Sequence, residues 1–130
     1  MALMFYKCSV CGNLILKVKD GGTVPSCCDR LMIEEVPEST DGDLEKHVPS
    51  IATNENIVCV TIGQIEHPMT EMHHIEFIAL ETDRRIYIHY LDYSDSNNCK
   101  PQACFSICNS EEPIAAYAYC NLHGLYLKAI

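Results

Sequence analysis

The sequence predicts an all-β protein in two parts, a small four-cysteine metal-binding unit followed by an immunoglobulin-like antiparallel β-sandwich. Three observations predict it. Short runs rich in β-branched residues recur between turn signals through the second part, as in a sandwich core. No window of helical length carries a 3.6-residue amphipathic repeat. Cys8, Cys11, Cys27 and Cys28 form the pattern C-x2-C-x15-C-C, whose four thiolates suit a tetrahedral zinc or iron site.

In the first part, Leu14–Val18 reads as a short strand and Asp20-Gly21-Gly22 as a turn, since glycine supplies positive φ cheaply. Neighbouring side chains of an extended segment point to opposite faces, so Cys27 and Cys28 reach one metal only if the backbone twists between them. A structural zinc knuckle and four free thiols are the plainer readings of the same spacing. A unit this small cannot stand on its own core, so a metal there also acts as a staple. The acidic, Pro- and Gly-broken stretch 34–43 reads as a linker. The expected domains are 1–37 and 38–130.

In the second part the strand-like runs are Ile57–Ile62, Ile75–Leu80, Arg85–Leu91, Ile114–Tyr119 and Leu125–Ile130. Cys120 and His123 follow the fourth run, and Gly124 can turn the backbone. A thiolate and an imidazole at that spacing can share one metal ion. Upstream, His47 precedes Val48-Pro49, a step that holds the backbone extended, while His67 and His73 flank a loop stiffened by Pro68. Four imidazoles and one thiolate would leave one position of an octahedral ion open. A structural zinc site using only some of these residues is the rival. His73 and His74 are neighbours, so one of them at most faces a given metal in an extended segment. His89 lies inside a strand pattern and is read as a non-ligand. Cys59 is read as a small core hydrophobe, and Cys99, Cys104 and Cys108 as reduced surface or loop thiols.

Composition narrows the function classes. A formal charge of −9 argues against non-specific nucleic-acid binding, which runs on basic surface. No apolar run approaches the roughly 18 residues of a membrane span. The first residues have the wrong flanks for a signal peptide, so a cytoplasmic location is expected, where nine cysteines point to metal binding more than to disulfides.

In this order the motifs resemble the desulfoferrodoxins, the two-iron class of superoxide reductase, over nearly the whole chain. Phe5-Tyr6-Lys7-Cys8-x2-Cys11-Gly12-Asn13, Asp20-Gly21-Gly22 and Cys27-Cys28 are similar to the desulforedoxin-type unit. Glu45-Lys46-His47-Val48-Pro49, His67-Pro68-Met69-Thr70, His73-x-Ile75 and Tyr119-Cys120-Asn121-x-His123-Gly124 are similar to the catalytic domain. The resemblance implies two iron ions per chain. Cys8, Cys11, Cys27 and Cys28 would hold one. His47, His67, His73 and His123 would hold the other equatorially, with Cys120 axial. It selects His73 over His74 by spacing. It also implies one-electron reduction of superoxide to hydrogen peroxide, Lys46 as the cationic guide, and Glu45 as the carboxylate filling the open position in the ferric resting state. A rubredoxin-type electron donor and a homodimer are implied too. The family usually has Tyr where this chain has His74, and Trp where it has Tyr126. A dismutase-like activity, distinguished by oxygen release, and a non-enzymatic iron or zinc electron-transfer module are the alternatives.

Overall fold

A computed structural model describes residues 3–39, 47–95 and 100–130, and every described element is a strand or a turn. Glu45, Lys46 and Cys99 lie outside the described residues. The chain divides into two compact units, 1–36 and 37–130.

In the first unit β1 (Phe5–Lys7) pairs antiparallel with β2 (Leu14–Leu16) and β5 (Ile33–Glu34). A hairpin of β3 (Ser26–Cys27) and β4 (Arg30–Leu31) completes it. Among the described residues its packed cluster is Tyr6, Cys8 and Met32, with Met4, Ile15 and Cys27 around them, and Phe5 is buried as well. The expected turn at Asp20-Gly21-Gly22 is present: Gly22 has φ 87° and its N–H donates to Asp20 Oδ1 at 2.9 Å. Hydrogen bonds from Lys17, then from the Gly22 N–H, hold the Asp20 carboxyl below its usual range.

Among the described residues the second unit is a sandwich of seven strands. One sheet runs β10-β7-β6 and the other β12-β11-β8-β9, where β6 is Pro49–Asn54, β7 Ile57–Ile62, β8 Ile75–Thr82, β9 Ile86–Tyr90, β10 Gln102–Ser106, β11 Pro113–Cys120 and β12 Gly124–Ala129. Alternate residues of β7 and β10 (Val58, Val60, Ile62, Ala103, Phe105) meet Ile78, Leu80, Ala116 and Ala118 from the opposite sheet. The two central strands β8 and β11 are buried on both faces over most of their length, so they read as continuous apolar runs instead of alternating ones.

The structure corrects the reading of Cys59 and Cys104. Val58 and Val60 face the core, so strand alternation turns Cys59 outward. There it stands opposite Cys104 in the β7–β10 register, and the two form a disulfide with Cα atoms 4.0 Å apart. Cys59 is therefore not a core hydrophobe, and Cys104 is not a reduced loop thiol. By chain entropy, a crosslink across 45 residues stabilises the fold by about 4 kcal/mol. Cys108 is an exposed free thiol, as expected.

The β10–β11 connection is held by one buried carboxylate. Glu111 accepts from Thr82 Oγ1 at 2.5 Å, Arg85 Nη1 at 2.7 Å, Tyr87 Oη at 2.9 Å and the Cys108 N–H at 3.1 Å. Burial opposes ionisation, but these donors together outweigh it and hold the Glu111 carboxyl at about 2, below its ordinary value of 4.5. A depressed folded pKa adds stability that is complete above the ordinary value and is lost as pH falls through the folded one. Acid unfolding of the wild type should therefore steepen between about pH 4.5 and about 2. Glu111→Gln should be less stable at neutral pH and show a shallower acid limb in that window. Denaturant melts across pH measure both, and equal slopes would remove Glu111 from the acid response.

Candidate metal centres

Two clusters of ligand-type side chains stand out among the described residues, one in each unit. In the first, Cys8 opens a knuckle in which its Sγ accepts the N–H groups of Val10 at 3.4 Å and Cys11 at 3.5 Å. Gly12, at φ 80°, lets the chain turn back so that its N–H reaches the Cys8 carbonyl. The twist expected at Cys27-Cys28 takes a definite form. Cys28 (φ 55°) and Asp29 (φ 59°) both occupy the left-handed region between the paired residues Cys27 and Arg30. Two positive φ values in a two-residue hairpin loop make a type I′ turn, and this turn swings Cys28 to the same side as Cys27.

The sulfurs are spaced for a tetrahedral ion. Cys11 and Cys27 Sγ are 3.6 Å apart, and Cys27 and Cys28 Sγ are 3.8 Å apart. Four sulfurs about 2.3 Å from a common centre lie about 3.8 Å from one another. Without a cation they cannot all ionise. Backbone N–H groups, Cys11 first, bring the Cys8 thiol down to about 6. Hydrogen bonding to Cys11, then to Cys27 and Cys8, pushes Cys28 up to about 12. One thiolate forms easily and the last resists, the signature of a set that needs a positive ion to be complete.

In the second cluster the ligand atoms of His47, His73, Cys120 and His123 all lie within 4.8 Å of one another. His47 Nε2 is 3.0 Å from His123 Nδ1, the spacing of adjacent nitrogens at right angles about 2.1 Å from one ion. His67 stands just outside this set. Its ring centroid is 4.5 Å from that of His73 and 4.8 Å from that of His47. Its Nδ1 lies 2.7 Å from the Pro68 carbonyl, an acceptor, so Nδ1 carries the proton and Nε2 keeps its lone pair. That Nε2 is buried with no hydrogen-bond partner. Burial first, and the other three imidazoles after it, hold His67 neutral at about 4. A buried, neutral imidazole with an orphaned lone pair, its ring packed against His47 and His73, fits a metal ligand.

Each donor is held from outside the cluster. Cys120 ends β11, wholly buried, and pairs with Gly124 across a turn that Gly124 closes at φ 85°. Burial pushes its thiol up, while the N–H groups of Leu122 and His123 pull it down. Asn121 ties this turn to the His67–His74 loop. Its Oδ1 accepts the His74 N–H at 2.8 Å, its own N–H reaches the His74 carbonyl, and Nδ2 donates to the Met72 carbonyl. Thr70 and His73 bond each other through both backbone and hydroxyl. His47 stacks on Tyr126 with centroids 4.5 Å apart. His74 turns away: Nδ1 meets the Thr70 carbonyl and the ring packs on Tyr93. His89 lies on β9 against Phe105, outside both clusters. Asn121 and Thr70 were not read from sequence as supporting residues, although both sit inside the quoted motifs.

A family model described as desulfoferrodoxin matches residues 39–129. The chain belongs to the desulfoferrodoxin family. It is 40% identical over 119 residues to the desulfoferrodoxin of Nitratidesulfovibrio vulgaris, covering 92% of this chain and 90% of that one. It is 32% identical over 108 residues to the superoxide reductase of Pyrococcus horikoshii, covering 73% of this chain and 94% of the relative. The crystal structure of the superoxide reductase from Treponema pallidum shares the all-β fold, with a TM-score of 0.82, 24% identity and 98% coverage of both chains.

His67 and His74, at the two ends of one loop, give a direct test of the second centre. His67→Gln should lower metal occupancy there by about 10-fold or more, since a buried donor nitrogen is lost. His74→Gln should leave occupancy close to wild type. Elemental analysis after equilibration with limiting iron measures both, and equal losses would contradict the assignment of His67 as the inward-facing residue.

Proposed function

We propose that this chain is a superoxide reductase, reducing superoxide by one electron to hydrogen peroxide with uptake of two protons. The supporting observation is the convergence of His47, His73, His123 and Cys120, with His67, whose buried Nε2 has no partner, packed against the rings of His47 and His73. The donor set suits iron: imidazoles and a single thiolate are borderline and soft ligands, and five donors leave an octahedral ion one open position. Bound there, a ferrous ion would supply the electron.

The side chains divide the remaining work. The neutral imidazoles bind without first losing a proton. Cys120, shielded from water and accepting the Leu122 and His123 N–H groups, would hold the ion as a thiolate and supply electron density to it. His123 is exposed, so a small anion and its protons reach that side from solvent. Lys46 would provide local positive charge in a chain of formal charge −9, and Glu45 would be the carboxylate that occupies the open position in the oxidised state. The second iron belongs to Cys8, Cys11, Cys27 and Cys28. A rubredoxin-type donor, a homodimer and a cytoplasmic location complete the proposal.

Mixing pulse-generated superoxide with the reduced protein tests it: peroxide should form in a rapid second-order reaction without oxygen release. Oxygen as a stoichiometric product would mean dismutation. Focused positive charge raises the on-rates of anions by roughly 10 to 10³-fold. Lys46→Ala should therefore slow the reaction by roughly tenfold at low salt with iron retained, and Lys46→Arg should lose much less. An unchanged rate for the alanine variant would remove Lys46 from the mechanism.

A further inference from the structure

The Cys59–Cys104 disulfide belongs to neither metal cluster, and its surroundings differ from those of a structural crosslink. The backbone bonds Ile62 N–H to Pro101 O and Ile107 N–H to Asn56 O fix the β7–β10 ladder. Counting inward from them along the antiparallel register, Asn56/Ile107, Val58/Phe105, Val60/Ala103 and Ile62/Pro101 are the hydrogen-bonded pairs. Cys59/Cys104 is therefore a non-hydrogen-bonded pair, the kind whose side chains stand closest. The sulfurs meet without any movement of the strands. Conversely, opening the bond leaves every backbone hydrogen bond of the ladder in place.

The two sulfurs are unequally placed. Cys59 is half-buried on the central strand of its sheet, whereas Cys104 is exposed on β10, the edge strand. Thiolate attack on a disulfide comes in line, from the side opposite the leaving sulfur. For Cys104 that side lies across the edge of the sheet, beyond which no further strand pairs among the described residues. A groove of about 490 Å³ opens there, lined by Cys104, Gln102, Lys100, His89, Asp92 and Asp95. For Cys59 the corresponding side faces β6, where Ala52 stands opposite it, and the residue is itself half-buried.

We propose that Cys59 and Cys104 form a reversible thiol–disulfide exchange site whose co-substrate is a low-molecular-weight thiol entering this groove. A thiolate RS⁻ bonds to Cys104 Sγ, the Cys59–Cys104 bond breaks, and Cys59 leaves as a thiolate that takes a proton from solvent. A second RS⁻ bonds to the R sulfur of the mixed disulfide, releasing RSSR and a Cys104 thiolate that is protonated in turn. The net change reduces one protein disulfide and oxidises two RSH to RSSR. The same steps reversed, driven by RSSR, close the bond again. The cytoplasmic location proposed above agrees with this, because the rare disulfides of that compartment are mostly transient, but the exchange does not depend on it.

The test uses the folded, metal-loaded protein in buffers of differing reduced-to-oxidised glutathione ratio. Differential alkylation and peptide mass spectrometry read Cys59 and Cys104 separately from the metal-ligand cysteines. The expected result is a linked pair in oxidised glutathione and two alkylatable thiols in reduced glutathione. The pair should cycle repeatedly, with circular dichroism and visible absorption unchanged. A pair that opens only after denaturant is added is a structural crosslink, and a pair that never links in oxidised glutathione is no site; either overturns the proposal. In Cys59→Ser, glutathione should become trapped on Cys104. In Cys104→Ser it should add to Cys59 at least about tenfold more slowly, because access governs the rate. Equal rates would contradict attack through the groove.

Discussion

Cys120 is the point on which the second unit's chemistry depends. Its sulfur is wholly buried at the end of a core strand, where a thiol is held protonated by desolvation unless a cation lies beside it. The turn that follows brings His123 back to 3.7 Å from that sulfur, and Asn121 in the same turn clamps the His67–His74 loop. A single glycine-closed turn thus fixes one donor directly, a second by return of the chain, and two more through its side chain. The sandwich core positions all of this. Cys120 packs with Ile75, Ile78 and Val60 in the same apolar cluster, so any slip of β11 in register would move the thiol with it.

The first unit works under a different constraint. Its apolar cluster is too small to hold a fold of that length, and the two-strand hairpin carrying Cys27 and Cys28 contributes little burial. The crowded sulfurs supply what the core lacks once a cation neutralises them, since binding energy at such a site is also folding energy. At the left-handed pair Cys28 and Asp29 the local conformational cost would be offset by ligation.

Much of this was legible in the sequence. The C-x2-C and Cys27-Cys28 pairs, the Cys120–His123 spacing and the β-branched runs are local signals, and local signals survive in one dimension. The expectation of a twist at Cys27-Cys28 followed from strand geometry alone. The misses were non-local. Strand β10 alternates polar and apolar residues, Gln102 to Ser106, but with only Ala103 and Phe105 facing inward it did not stand out as a strand. Without β10, nothing placed Cys104 opposite Cys59, and Cys59 looked like one more apolar residue in a core run. The role of Asn121 was hidden for the same reason, since it bonds Met72 and His74 far upstream. Thr70 bonds His73 and His74 in its own loop, a local turn that the motif did not single out.

Coexistence of two independent thiolate centres, different in donor type, underlies the proposed function. Visible absorption of the oxidised, iron-loaded protein addresses it most directly. The wild type should show two distinct sulfur-to-iron charge-transfer bands. Cys120→Ser should remove one and leave the other, and Cys28→Ser should do the reverse while the fast reaction with superoxide persists. A single substitution that abolished both bands, or a wild-type spectrum with one band only, would contradict the existence of two separate centres.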